Sequence, residues 1–334
     1  MQQLLGCVGL VLVCLGSVAG APGAERVTAV AERAPPVDEA LQVLITTSEL
    51  VVGQNRFAFG LLKEHTLLEQ AQAAVRVYAL QGQQGHLQTE VPAPYAPLEI
   101  VEQGKQVHVH PDGTRHVHNE QTDVRGIYVA QVAFEWPGTW GLEVRAKQGD
   151  GPFEVSRFTV KVLKAPHTPA LGTPAPRSHN LIASDVTDLR HIDTSEPPDW
   201  RLHQVRIADA IAQGTPQVIV FATPQFCTSR VCGPVVDVVR LLLPTYGDRV
   251  VFTHQEMWHD FTTQRLAPTV EEWHLHTEPW IFVVDVQGII RAKFEGLTTM
   301  HEIATALQQI LEPNSVRLNF CMVAELSDAT VRDG

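Results

Sequence analysis

Two groups of residues in this 334-residue chain have types and spacings that could do chemistry. They are the cysteines Cys227 and Cys232, and the histidines His108, His110, His116 and His118. Thiols five residues apart can cycle between dithiol and disulfide, staple a loop, or enter a metal site, and spacing alone leaves all three open. The histidines run His108-Val-His110-Pro-Asp-Gly-Thr-Arg-His116-Val-His118. Residues two apart in a strand share a face, and Pro111-Asp112-Gly113 is a turn signal. A hairpin here could gather four imidazoles, a ligand favoured by zinc(II), copper(II) and nickel(II). The alternative is a solvated, pH-sensitive hairpin without metal. The remaining cysteines stand apart: Cys7 and Cys14 in an apolar leader, Cys321 in a polar tail. That is one functional pair and one spare, not the framework of a small disulfide-rich domain.

The elements that must position these groups fall into blocks. Met1 to Ala24 reads as a secretory signal: Leu4 to Val18 is almost wholly apolar and small residues follow, although no Lys or Arg precedes the run. The expected location is secreted or periplasmic, tethered if the signal stays uncleaved, with no membrane span after cleavage. Residues 25–39 are a flexible lead-in. Residues 40–164 hold about seven short runs of strand character, among them Ala74 to Tyr78, Gly126 to Phe134 and Phe158 to Val162. Turn signals between them predict an all-β sandwich of Ig-like type. Residues 165–176 hold four prolines and read as a linker. Residues 171–312 change to α/β: a short helix at Ile207 to Ala212, an apolar strand at Gln217 to Ala222, and a helix from Cys232 to Leu243. Strands at Arg249 to Thr253, Trp280 to Asp285 and Ile289 to Phe294 follow, then a helix at Met300 to Leu311. Residues 313–334 read as a flexible tail. Formal net charge is −12, which argues against a nucleic-acid partner.

Val218 to Pro234, with Phe226-Cys227 entering a helix, resembles the active-site segment of the thioredoxin-like (redoxin) superfamily. Glu278-Pro279-Trp280 resembles the cis-proline that faces the redox cysteine there, and Leu171-Gly-Thr-Pro-Ala-Pro176 resembles the opening of redoxin-type members. The resemblance spans about 140 residues. It implies Cys227 as nucleophile at a helix N-terminus, where unpaired N–H groups stabilise a thiolate. It further implies Cys232 as resolving thiol, Pro279 as the cis-proline and Arg230 as an added positive charge. The chain departs from Cys-x-x-Cys: five residues of ideal helix would put the side chains about 140° apart, so a disulfide requires non-helical backbone. Val220 and Phe221 leave no carboxylate in the strand that carries one in many thioredoxins. More weakly, Glu135-Trp-Pro-Gly-Thr-Trp-Gly141 resembles a corner of small extracytoplasmic YtkA-like sandwich domains, with Trp136 and Trp140 as packing residues.

These readings favour an extracytoplasmic thiol–disulfide oxidoreductase. It needs no cofactor, and its partners are protein thiols, disulfides or a redox partner protein. A copper-handling protein of the Sco type is the second reading, with copper or zinc as its metal. Sco proteins, however, use Cys-x3-Cys with a distant histidine, and His254 and His259 read as packing or surface residues. A peroxiredoxin-like peroxidase is a further reading, although Pro224 stands where its Thr or Ser is needed. The last is a thioredoxin-fold binding module without turnover.

Overall fold

The computed structural model describes residues 40–312, except 83, 99–105, 110–114, 119–124, 228, 261 and 264. Met1 to Ala24, His110, Cys321 and the tail lie outside them. The described residues are mostly β-strand in sandwich-like sheets, with few helices. None of those helices is long and apolar enough to cross a membrane.

Among the described residues, twelve strands precede the first helix. They are β1 (Gln42–Ile45), β2 (Leu50–Val51), β3 (Gly53–Lys63), β4 (Thr66–Leu67), β5 (Gln72–Gln81) and β6 (Gln84–Pro92). After them come β7 (Tyr95–Pro97), β8 (Gln106–Val109), β9 (Arg115–His118), β10 (Gly126–Phe134), β11 (Gly138–Lys147) and β12 (Glu154–Leu163). One sheet runs β1-β3-β10-β7, with β4 also on β3; the other runs β2-β12-β11-β5-β6. All pairings are antiparallel except β2 with β12. Period-two alternation builds the core between the sheets. Phe57, Phe59 and Leu61 of β3 and Tyr128, Ala130 and Val132 of β10 meet Val75 and Val77 of β5 and Trp140, Leu142 and Val144 of β11. Trp140 is buried, its indole N–H donates to the Trp136 carbonyl at 3.0 Å, and Trp136 stays exposed.

The second half places α1 (Ile207–Ala212) before β13 (Gln217–Phe221), α2 (Cys232–Tyr246) and β14 (Val251–Gln255). It continues through β15 (Trp258–Asp260), β16 (Arg265–Leu266), α3 (Pro268–Glu272), β17 (Trp280–Val284), β18 (Ile290–Glu295) and α4 (Met300–Leu311). A four-stranded sheet runs β14-β13-β17-β18. β13 is parallel to β14 and antiparallel to β17, and β18 is antiparallel to β17. The unbroken apolar run of β13 is buried throughout because both faces are covered. Val218, Val220, Ile281 and Val283 pack towards α2 and α4, while Ile219, Phe221, Phe282 and Val284 pack towards α1, Val270 and Trp273. A capping box at Thr299 and Glu302 starts α4.

The sandwich is seated on this layer. Ala58 and Ile127, on the outer face of the β3–β10 sheet, share a core with α2 and α4. Arg56, on the same face as Ala58, grips Glu302 with two nitrogens, at 2.6 and 3.1 Å, and also donates to the Glu295 and Leu297 carbonyls. The proline-rich segment is tied down as well. Glu49 accepts from the His167 and Thr168 amides, and Gly172 N–H bonds the Ile290 carbonyl at 2.8 Å.

Candidate functional site

β13 ends at Phe221, and a turn at 224–226 leads to Cys227. Cys227 and Cys232 form a disulfide with Cα atoms 6.1 Å apart. The expected helix N-terminus carries Cys232 rather than Cys227. Val231 is the N-cap and Cys232 the first helical residue, while Cys227 lies in the preceding loop. Left-handed backbone at Arg230 (φ 58°) lets the loop turn back onto the helix, which is how two cysteines five residues apart meet. Arg230 itself is exposed. Cys227 is 8% exposed and Cys232 is wholly buried, so an incoming thiol or disulfide meets Cys227 first. Accessibility, not the helix terminus, now distinguishes the two sulfurs. The Ser229 hydroxyl lies 3.1 Å from Cys227 Sγ.

The Glu278–Pro279 peptide is cis. Glu278 brings a carboxylate oxygen within 4.8 Å of both sulfurs. Its Oε2 is buried without a hydrogen-bond partner. Burial raises its pKa above the ordinary value, against the opposing pull of hydrogen bonds from Thr223 and the charge of His254.

Next to the cysteine loop lies a buried ionic cluster. Asp193 receives the Ser195 and Asp199 amides, each at 2.9 Å, with His203 Nε2 at 3.1 Å and His254 Nδ1 at 3.4 Å. His254 Nε2 lies 2.9 Å from the Ala222 carbonyl, which can only accept, so that nitrogen carries a proton. Burial alone would lower the His254 pKa. The Asp193 charge outweighs it, and the pKa is raised to about 9. Asp193 is correspondingly held well below the carboxylate range despite its burial. Burial lowers His203 and raises Glu256 to about 7. Asp193 and His254 therefore stand as an ion pair beside a neutral His203. The cluster also holds the loop. Glu256 accepts the Thr194 amide at 2.6 Å, the Thr194 hydroxyl accepts the Gln225 amide at 3.2 Å, and the Thr223 hydroxyl accepts the Met257 amide at 3.1 Å.

Asp193, His203 and His254 bring one ligand atom each within 4.8 Å of one another, but their surroundings do not suit a metal. The carboxylate already takes hydrogen bonds from the Ser195 and Asp199 amides and His203 Nε2 and faces His254, and His203 Nδ1 has no acceptor to orient it as a ligand's second nitrogen requires. In the closed disulfide neither sulfur is a thiolate, the form that binds metal. In the histidine hairpin, β8 pairs with β9 so that His108 stands opposite His116 and Gln106 opposite His118.

No family model and no curated protein matches the chain. Among solved structures, murine CRIg is similar over 38% of this chain and 97% of its own, at 11% identity and a TM-score of 0.20. That likeness is too slight to bear on fold or function.

Sequence reasoning picked out the cysteine pair and Pro279 but missed Glu278, Ser229 and the cluster of Asp193, His203, His254 and Glu256. His254 is wholly buried and ion-paired, while His259 is exposed. Only Glu278 carried a signal, its place directly before Pro279.

Proposed function

We propose that residues 171–312 form a thioredoxin-like domain and that the chain is an extracytoplasmic thiol–disulfide oxidoreductase acting through Cys227 and Cys232. The carrying observation is the disulfide itself. It joins Cys227, 8% exposed and just after the central strand, to the wholly buried Cys232 at the first position of the following helix. The strand order β14-β13-β17-β18, with the cysteine loop between β13 and α2, supports the same reading. In this reading the sandwich of residues 40–164, packed on the second half through a shared core, positions or recruits a partner.

The oxidised pair reacts with a substrate dithiol in two exchanges. A substrate thiolate attacks Cys227 Sγ, a new S–S bond forms, and the Cys227–Cys232 bond breaks. Cys232 leaves as a thiolate at the N-terminus of α2, where helix amides favour negative charge. The second substrate thiolate then attacks the substrate sulfur of the mixed disulfide and releases Cys227 as thiolate. The substrate loses two electrons and the protein gains two; the reverse sequence reduces a disulfide. No cofactor takes part, and the partners are protein thiols and disulfides.

Titration in glutathione buffers, with the pair followed by alkylation and mass, tests this. A reversible transition between about −270 and −120 mV is expected of a thioredoxin-fold couple. A pair still oxidised below about −300 mV is structural and refutes the proposal.

A further inference from the structure

We infer that Glu278 is the proton acceptor for Cys232 when that buried thiol resolves a mixed disulfide on Cys227. The inference rests on the oxidoreductase reading. β13, which leads into the cysteine loop, carries no acidic residue. Among the described residues, Glu278 is the carboxylate grouped with both sulfurs, within 4.8 Å. One bridging water or a side-chain rotation closes that distance. Its Oε2 is buried and unpartnered, a costly arrangement unless the atom has a task or a transient partner. The neighbouring backbone is fixed, since the Gly296 amide donates to the Pro279 carbonyl at 2.9 Å. Cys232 is wholly buried, so its proton has no direct path to solvent and needs a nearby acceptor. Burial also raises the proton affinity of Glu278, bringing the carboxylate closer to the thiol it must deprotonate.

The step balances. In the mixed disulfide, the Cys232 proton moves to the Glu278 carboxylate, and the thiolate attacks Cys227 Sγ. The bond from Cys227 Sγ to the substrate sulfur breaks, and the substrate sulfur leaves as thiolate. The two cysteines lose two electrons to the substrate disulfide, and Glu278 then releases its proton to solvent. Run backwards, protonated Glu278 delivers a proton to departing Cys232.

The test uses the reduced full chain with Cys7, Cys14 and Cys321 replaced by Ser, mixed in stopped flow with 5,5′-dithiobis(2-nitrobenzoate). The first nitrothiobenzoate released reports attack by Cys227, and the second reports resolution by Cys232. Glu278→Gln should slow the second phase by about 100-fold, the lower end for loss of a general base, and leave the first nearly unchanged. Without the substitution, the second phase should fall with acid as the carboxylate is protonated. In Glu278→Gln it should climb steadily with pH, following the thiol alone, and Glu278→Asp should restore part of the rate. Two phases with unaltered rates and pH profile in Glu278→Gln would overturn the role of Glu278 and leave the oxidoreductase intact. If the unsubstituted pair releases no second nitrothiobenzoate, the oxidoreductase reading fails and this inference with it. Should Glu278→Gln not fold, the pH profile of the unsubstituted second phase decides: a flat profile through the acid range refutes the inference.

Discussion

Replacing Asp193 by Asn should cost stability in a pH-dependent way, because the residue removed is the anion that keeps His254 charged. Asn keeps the volume and one acceptor for the Ser195 and Asp199 amides but leaves the buried His254 imidazolium only the more distant Glu256, at 3.9 Å, as counter-ion. Breaking a buried pair from one side costs about 3–5 kcal/mol. The linkage has a definite sign. His254 rises from its ordinary 6.5 to about 9 on folding, so the stability it contributes is full below 6.5 and lost as pH rises through 9. That shift is worth about 3 kcal/mol. Glu256, raised from 4.5 to about 7, loses its contribution earlier, and His203, lowered by burial, acts only below its ordinary value. From pH 7 to 9.5 the dependence is dominated by His254, with the end of the Glu256 titration at the lower limit. Urea denaturation of the oxidised, alkylated protein, followed by tryptophan emission, measures the difference. The gap between native and Asp193→Asn should be about 3–5 kcal/mol at pH 7 and shrink to about 1–2 kcal/mol at pH 9.5, the remainder being lost amide hydrogen bonds. A gap constant across that interval would refute the assignment of His254 as a cation held by Asp193.

Other substitutions probe separate parts of the argument. Cys232→Ser should trap Cys227 in a persistent mixed disulfide; in Cys227→Ser the buried Cys232 should react on the order of 100-fold more slowly, since it must await local opening. Both are read by mass after timed labelling. Trp140→Ala should cost about 3–5 kcal/mol by opening a cavity between the sandwich sheets, seen in the urea midpoint. Arg56→Ala should cost about 2–3 kcal/mol, the buried-pair figure reduced for partial exposure, and should split thermal unfolding into two transitions as the halves uncouple. A single cooperative transition at unchanged midpoint would contradict that role for Arg56.

Much of the architecture was legible because it is written in local pattern. Period-two alternation in Gly126–Phe134 and the apolar run in Gln217–Phe221 mark strands whose bounds the structure keeps closely. Ile207–Ala212 and Met300–Leu311 appear as read. β6 escaped notice because Gln84–Pro92 is an edge strand, exposed along most of its length and polar in sequence. α3 is only five residues, too short for periodicity to register. The site was legible only where its chemistry is sequential. Cys227 and Cys232 are neighbours in the chain, whereas Asp193 and His203, in loops, and His254, in β14, meet across 61 positions. A lone Asp or His in a polar loop carries no mark that tertiary folding will bury it with a counter-ion. α2 starts at Cys232 as read; it is the placing of Cys227 at the helix N-terminus, implied by the resemblance, that the structure corrects. Thr-Ser-Arg-Val contains no glycine to mark the left-handed turn that Arg230 makes.

The seating of the sandwich bears on the cysteine site through a short series of contacts. The Ser48 amide donates to Glu295 at 2.7 Å, and the Ser48 hydroxyl bonds the same carboxylate. The Thr277 hydroxyl donates to Glu295 at 2.7 Å and receives the Trp280 indole N–H at 3.0 Å. Gly296, next in chain, bonds the Pro279 carbonyl, and its left-handed backbone sits so close to Thr46 that a Cβ there would lie 2.8 Å from it. The sandwich thus braces the end of β18, and β18 braces the 277–280 turn that carries Glu278. Arg56 holds the same corner through the Glu295 and Leu297 carbonyls. Loosening this corner displaces the carboxylate and leaves the Cys227 loop, which is pinned from the opposite side by Thr194 and Met257. Arg56→Ala should therefore slow resolution by Cys232 more than attack by Cys227, a kinetic signature that a general loss of stability would not produce.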